Sequence, residues 1–477
     1  MSLSFRISKQ KLWFRMTKTR TEKDVLGELE VPIDAYWGIS TQRALTNFKI
    51  SGRRLPENFI LALATVKKAC LLANMDLGMI PTELGNPIQK AVDEILKDRK
   101  MLDQFPIDVF QTGSGTQTNM NMNEVLANRA NEILGQPRGK KAPVHPNNHV
   151  NLGQSSNDVI PTTMHIAALE LIINELMPSL EKLILGLDEK VTEFREIVKV
   201  GRTHLQDAVP IPLSMEFDVY KTQMVNNMAD LQAARDELVV VPIGGTALGT
   251  GINAPKGFAE KVATYLSKFT SLPIRTQSVK AEGISSHRAM VRLSSSLRLL
   301  ALSCIKMAND IRWMGSGPRA GLGELILPQN EPGSSIMPGK INPTQSEALI
   351  QVCAQVIGHD AVVSFAESHG SILDLNMSKP VIIVNILDAI TILSNGIQSF
   401  RLHCLSGLKA NESVIKSQLE RSLMIVTGLT PVIGYDKAGE VARRAYETGQ
   451  TVRETIEEMR IEIEGDLDDL LDSRKMV

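Results

Sequence analysis

Apolar residues recur in steps of four and three at Leu169, Ile173, Leu176, Leu180, Leu183, Leu187, Val191, Phe194 and Val198. That spacing predicts one helical face sustained over eight turns. Pro178 falls inside the run and predicts a kink. At ~1.5 Å per residue such a helix is on the order of 50 Å long. It cannot bury its faces in one small core, so it calls for a bundle and for partner subunits. Four further long helices are expected at Ser214–Val239, at Ser286–Met314, from Thr344, and at Pro380–Cys404. The expected fold class is therefore mainly α, with three domains and a central bundle of five long helices.

The flanks differ. Asn58–Leu77 reads as a helix on Ile60, Leu63, Val66, Cys70 and Ala73, and Asn86–Leu96 as another. Glu22–Thr46 is mixed and loop-like. After Lys409–Glu412 the helices shorten and the chain ends acidic, from Glu454 to Asp472. The expected domains are a basic extension (1–21), a mainly helical N-terminal domain (22–154), the central bundle (155–411) and a small helical C-terminal domain (412–477). The extension carries Arg6, Lys9, Lys11, Arg15, Lys18 and Arg20 with no acid before Glu22. It resembles the start of a mitochondrial transit peptide. The preferred reading is a basic tail from a start codon upstream of Met16. A cytoplasmic location is expected, or the mitochondrial matrix if the tail is a transit peptide.

The 477 residues carry a net charge of −1, which calls for neither nucleic acid nor an anionic membrane. No apolar run reaches spanning length; Val381–Leu393 is interrupted by Asn385 and Asp388. Cys70, Cys304, Cys353 and Cys404 lie far apart in apolar surroundings, which suits buried free thiols in a reducing compartment. No Cys-x-x-Cys pair is present, and neither a metal nor a cofactor is expected.

The chemistry-bearing residues sit in loops between the helices. Gly333-Ser-Ser-Ile-Met-Pro-Gly-Lys-Ile-Asn-Pro343 joins hydroxyls, a cation and an amide in eleven residues. Its glycines permit close backbone approach, Lys340 suits a carboxylate or phosphate, and Asn342 both donates and accepts. Gln111–Glu124 is a polar loop running into a helix at Val125–Leu134, and free N–H groups at a helix start attract anions. A plain capping run explains the same residues. His145 and His149 stand four apart, but Pro146, Asn147 and Asn148 make this a loop rather than a metal site. Gln154–Asp158 and Gly201–Asp207 interrupt the long helices. Gly244–Gly251 follows a helix and lacks a Gly-Lys-Ser/Thr ending, so it is not a phosphate loop.

Taken together these loops resemble the fumarase/aspartase superfamily. The 333–343 stretch is similar to its Gly-Ser-Ser-x-Met-Pro-x-Lys-x-Asn-Pro pattern at every fixed position, and the likeness runs from about Glu22 to Arg453. Gly113–Asn121, Gln154–Asp158 and Asn342–Leu349 resemble class II fumarate hydratases most. The resemblance implies reversible addition of water to fumarate, a step of the tricarboxylic acid cycle. It implies Ser334 as the base for the C3 proton and Lys340 and Asn342 as clamps on the carboxylate that gains charge. Ser114, Thr116, Ser155, Ser156 and Asn157 become donors to the substrate's carboxylates. Thr203 and His204 stand at the hydroxyl end, with Glu347 orienting His204. It also implies a homotetramer whose active sites each draw on three chains. A second dicarboxylate site is implied at His145, Asn147 and Asn148, although the family's turn reads His-Pro-Asn-Asp and Asn148 departs from it.

Two rivals remain at this point. Leu205 and Asn148-His-Val-Asn151 occur in some aspartases, which release ammonia from L-aspartate. A non-catalytic structural protein of the same fold is the other, and the presence of Ser334, Lys340, Asn342, His204 and Glu347 weighs against it. Gly339 and Ile341 argue against the argininosuccinate and adenylosuccinate lyases.

Overall fold

The computed structural model describes residues 18–477. Both readings of the basic stretch, transit peptide or upstream tail, fall on residues that lie almost wholly outside the described ones. Thr19–Thr21, at its end, form the start of a strand.

In chain order the main elements are β1 (Thr19–Asp24), β2 (Gly27–Pro32), α1 (Ile39–Asn47), α2 (Glu57–Asp76), α3 (Thr82–Leu96), α4 (Thr116–Ile133), α5 (Ser156–Leu171) and α6 (Met177–Glu193). There follow β3 (Val198–Thr203), β4 (Gln206–Pro212), α7 (Leu213–Leu238), α8 (Phe258–Thr270), α9 (Glu282–Ser285), α10 (Arg288–Met314), α11 (Thr344–Gly370) and α12 (Lys379–His403). The chain closes with α13 (Glu412–Arg421), α14 (Thr430–Ile433), α15 (Tyr435–Thr448) and α16 (Val452–Met459). The fold is mainly α, as the periodicity implied.

The described residues divide into two compact units. One holds those up to Glu170 with Asp236–Val291 and Val362–Leu387. The other holds Leu171–Arg235, Arg292–Ala361 and Asp388–Val477.

The first unit opens with an antiparallel hairpin, β1 on β2, with Thr19 opposite Pro32. The sequence gives little sign of it, because its strands are polar and short. Arg20 fastens it, with its guanidinium donating to the carbonyls of Pro32, Ala35 and Trp37. α2, α3 and α8 pack around Phe59, Leu63, Val66, Ile88 and Leu266, all buried. α4 starts nine residues before the expected Val125. Its first half buries Thr118, Asn119, Asn121 and Asn123, with Met122 the one apolar side chain among them, so no apolar period announces it.

In the second unit, side-chain hydrogen bonds and ion pairs join the five long helices side by side. Ser179 on α6 meets Ser394 on α12 at 3.0 Å. Tyr220 on α7 donates to Asp310 on α10 at 2.9 Å. Ser294 on α10 donates to Asp360 on α11 at 2.7 Å. His359 on α11 faces Asp388 on α12 at 2.9 Å. The run from Leu169 is not one uniform helix. A π-helical turn at Ile172–Leu176 separates α5 from α6, and Pro178 sits in the first turn of α6. The wide turn relieves the clash that a proline ring makes with the preceding turn. The helix also stops at Glu193, and Val198 pairs with Pro212 as the start of β3. The last residues form their own small core of Ile425, Leu429, Val441, Val452 and Ile456.

By length and composition alone, four helical stretches could cross a membrane: Glu57–Asp76, Ser156–Glu193, Thr344–Gly370 and Lys379–Gly407. This corrects the expectation that no apolar run reaches that length. An uninterrupted run is a stricter criterion than an average that absorbs Asn385 and Asp388. Most of the apolar windows in three of these stretches is buried within the protein, against 33% for Thr344–Gly370. All four cysteines are buried and free.

Candidate active site

The first unit carries two hydroxyl-rich loops. Gly113 has no room for a side chain, since a Cβ there would fall 1.5 Å from the Met377 carbonyl oxygen. The turn it permits sets Ser114 just ahead of α4, with Gly115 at φ 72° before Thr116. Ser114 is buried, and its Oγ lies 2.7 Å from Thr116 Oγ1. The second loop precedes α5. Asn119 Nδ2 donates to Ser156 Oγ at 3.0 Å, so α4 ties the two loops together. The Asn157 N–H donates to Ser155 Oγ at 3.2 Å, and Asn157 Nδ2 to the Ala247 carbonyl at 2.8 Å.

Beneath this loop lie two buried charges. Asp158 accepts the N–H groups of Ser155, Gly244 and Thr246 at 2.9 to 3.0 Å. Burial pushes its carboxyl up to about 6 despite those donors. The Gly244–Gly251 stretch is thus a loop that wraps a carboxylate of its own chain. Lys67 donates to Asn151 Oδ1 at 2.9 Å and Gln154 Oε1 at 2.8 Å. Sequence reasoning gave Lys67 no role. The signal was present: Leu63, Lys67 and Cys70 follow the same four-three step as the buried stripe of α2, which leaves a charge on an apolar face.

Pro146–Val150 forms one π-helical turn rather than an open loop. His145 Nδ1 accepts the N–H groups of Asn147 and Asn148 at 3.1 and 3.2 Å, and His149 Nδ1 accepts that of His145 at 2.9 Å. Both rings are held below their ordinary pKa, first by burial and, for His145, also by Lys141 and His149. Asn147 and Asn148 are exposed, and Asn147 Nδ2 reaches Met120 Sδ at 3.8 Å. Among the described residues no group of three or more His, Cys, Asp or Glu could hold a metal ion.

The second unit carries the other pieces. Thr203 and His204 do not merely break a helix; they form the tip of the β3–β4 hairpin. His204 and Leu205 have φ of 57° and 61°, with Thr203 paired to Gln206 across the turn. A two-residue hairpin turn with both φ positive matches the strand twist, and it normally takes asparagine or glycine. Thr203 and His204 are exposed there. The 333–343 loop closes on itself. The Gly333 N–H donates to the Lys340 carbonyl at 2.8 Å, and Asn342 Nδ2 to the Gly333 carbonyl at 2.6 Å. Ser334 Oγ accepts the N–H groups of Ile336 and Met337 at 3.2 and 3.1 Å. Lys340 is exposed. Glu347 lies half-buried in the first turn of α11. His204 and Glu347 share no hydrogen bond or ion pair within one chain.

A lyase family model matches residues 27–358, and a fumarase C C-terminus model matches 425–477. The class II fumarate hydratase of Thermosynechococcus vestitus is 51% identical over 443 residues, 93% of this chain and 94% of that protein. This chain belongs to the class II fumarate hydratase family. A mitochondrial fumarate hydratase of Rhizopus oryzae is 50% identical over 92% of the chain and 89% of its own length. Among solved structures, the class II fumarase of Schistosoma mansoni superposes with a TM-score of 0.93 at 36% identity, covering 96% of this chain and 99% of that one. The family is a lyase family, and the relatives include both bacterial and mitochondrial proteins.

Within the family's loops, sequence reasoning passed over Glu324. It is fully buried, and it accepts from Arg202 at 2.7 Å and pairs with Lys199 at 3.1 Å. Its position directly after the Gly315–Gly323 loop, ahead of an apolar pair, was the available sign.

Proposed function

We propose that the chain adds water reversibly to fumarate, giving L-malate, with Ser334 as the base. The observation that carries this reading is the turn at Ser334. A serine hydroxyl is a poor base unless its oxyanion is stabilised, and Ser334 Oγ already receives two backbone N–H groups. In the dehydration direction the Ser334 oxyanion takes the C3 proton of L-malate. The electron pair moves into the adjacent carboxylate, giving an aci-carboxylate intermediate. The hydroxyl then leaves C2 as water, protonated at the end where Thr203 and His204 stand.

Lys340, exposed and cationic on the same closed loop as Ser334, clamps the carboxylate that gains charge. Asn342 serves that clamp in part by holding the loop closed. Ser114, Thr116, Ser155, Ser156 and Asn157 donate to the substrate's carboxylates. Glu347 orients His204 and tunes its proton affinity. In this reading the His204–Glu347 pair forms across copies. That agrees with a homotetramer whose sites each draw on three chains. The thinly buried apolar face of α11, where Val362 and Phe365 are exposed, suits such an assembly.

The second dicarboxylate site at His145, Asn147 and Asn148 belongs to the same reading, weakened by Asn148. So do the domain limits of 22–154, 155–411 and 412–477, and a cytoplasmic location with the mitochondrial matrix as alternative. The test is the ultraviolet absorbance of the fumarate double bond with purified protein. Fumarate formed from L-malate, and lost in Ser334→Ala, is expected. Fumarate formed from L-aspartate instead would make the protein an ammonia-lyase.

A further inference from the structure

Lys67 is 1% exposed, yet among the described residues no carboxylate lies within ion-pair distance of its ammonium. A buried charge is ordinarily paired, because leaving water costs several kcal/mol per ion. Its acceptors are two neutral side-chain oxygens, on Asn151 and Gln154. These are residues of the loop that leads into Ser155, Ser156 and Asn157. Each then braces that loop's backbone. Gln154 Nε2 donates to the carbonyls of Val150 and Leu152 at 3.0 and 3.2 Å. Asn151 Nδ2 donates to the Gln154 carbonyl at 3.2 Å. Asn151 Oδ1 also accepts from Asn119 and Asn123 on α4 at 3.2 and 3.1 Å. Asn119 in turn donates to Ser156 Oγ. The ammonium is therefore linked to the Ser156 hydroxyl through two amide side chains.

We infer that Lys67 is a positioning residue for dicarboxylate binding: through Asn151 and Gln154 it fixes the loop that presents Ser155, Ser156 and Asn157, and it places a positive charge behind those donors. This rests on the proposed hydratase reading for the identity of the ligand. A structural role alone would be served by a neutral side chain of the same shape, which avoids the cost of burying an ion. A charge retained behind a row of anion-binding hydroxyls is useful when a dianion must be held in a site of low dielectric.

The surroundings make the charge titratable near neutrality. Burial brings Lys67 down to about 7, with Cys70 on its own helix and Asp158 on α5 acting the other way. From α4 and the 151–154 loop only amides face it. The other packed faces of α2 carry the Lys68–Asp93 pair toward α3 and the Lys261 and Tyr265 contacts to Asp76 toward α8.

The experiment is the pH dependence of KM and kcat for L-malate, between pH 6 and 9, for the full chain and for Lys67→Met and Lys67→Arg. In the unsubstituted protein KM is expected to rise about tenfold above pH 7 while kcat changes little, the pattern of lost binding. Lys67→Met should raise KM about tenfold at pH 6.5 and abolish the rise. Lys67→Arg should keep the low KM and remove the pH dependence, because a guanidinium stays charged. A folded Lys67→Met with unchanged KM and unchanged profile overturns the inference, as does a flat KM profile in the unsubstituted protein. Amide hydrogen exchange over residues 151–157 gives a reading independent of turnover. Faster exchange confined to that loop in Lys67→Met is expected, and unchanged exchange overturns the inference even if the protein turns over no malate, an outcome that would sink the hydratase reading separately.

Discussion

Arg202 Nη1 lies 2.7 Å from Glu324 Oε1, and Lys199 Nζ lies 3.1 Å from the other oxygen of the same buried carboxylate. Both cations belong to β3, and Arg202 immediately precedes Thr203 and His204. One acid therefore anchors the strand that ends in the exposed hairpin tip. Replacing Glu324 by leucine leaves Lys199 with Glu216, and Arg202 with Gln418, the Val200 carbonyl and Asp207 at 3.9 Å. Removing one partner of a buried ion pair costs about 3–5 kcal/mol when the survivor is left uncompensated, so with these partners in place the loss should fall at or below the low end of that range. Glu324→Leu should lower the midpoint of urea unfolding accordingly and cut turnover through misplacement of His204. An unchanged midpoint would show that the hairpin does not depend on this acid.

Glu124 closes the polar run Gln111–Glu124, but the fold uses it for the start of α1. Its carboxylate accepts the N–H groups of Gly38, Ser40 and Thr41 at 2.8 to 3.1 Å, and the Thr41 hydroxyl at 2.7 Å. An acid at a helix start satisfies orphan donors and complements the helix dipole. Glu124→Ala leaves all four donors without this partner and should cost about 1–3 kcal/mol or more. Thr41→Ala, which removes one donor only, should cost about 1 kcal/mol. Thermal unfolding of the two variants side by side checks the order, and equal shifts would contradict the cap.

The five long helices were legible because burying one face of a long helix imposes the four-three step seen from Leu169 onward. The β1–β2 and β3–β4 hairpins were not. The strands of β1 and β2 are held by Arg20 and by pairing rather than by an alternating apolar face, and Thr203–Leu205 turn tightly without the glycine or asparagine that usually marks such a turn. α4 hid its first half because its asparagines bury amides against other amides. The site loops stood out through Gly333–Pro343 and Gln154–Asp158, whose residue types have few other uses together. Lys67 and Glu324 stayed hidden because their partners lie far off in sequence, and a lone charge in an apolar stretch does not name its partner.

Asp108 sets an acid limit to stability. It accepts the N–H groups of Ser51, Gly52 and Phe110 and the Ser51 hydroxyl, all between 2.7 and 2.9 Å. Burial works to raise its pKa, but these donors together outweigh it and bring the carboxyl down to about 2. The folded state thus binds this proton more weakly than the unfolded chain, whose aspartates titrate near ~3.9. Stability from this group is complete above that value and is lost as pH falls toward 2. Asp108→Asn should be less stable at pH 7 by about 1–3 kcal/mol. The gap to the unsubstituted protein should close as pH falls from about 4 to about 2. Chemical unfolding at stepped pH measures it, and a gap that is constant with pH would assign the loss to shape rather than to charge.

Ser334 and Ser335 are neighbours with different surroundings, and that difference predicts which one does chemistry. Ser334 is half-buried and its Oγ receives the Ile336 and Met337 N–H groups. Ser335 is exposed, and no such pair of donors meets its hydroxyl. Removing a proton from carbon beside a carboxylate needs a base whose anion is stabilised before the reaction, so only Ser334 is prepared for it. Loss of a general base typically lowers the rate about 10²- to 10⁴-fold. Ser334→Ala should therefore lower kcat by about that factor with little change in KM, because the hydroxyl acts in the transition state more than in binding. Ser335→Ala should stay within about threefold of the unsubstituted rate. Steady-state rates of fumarate formation from L-malate decide the matter. If Ser335→Ala shows the large loss and Ser334→Ala does not, the base is Ser335 and the two N–H groups at Ser334 serve only to shape the loop.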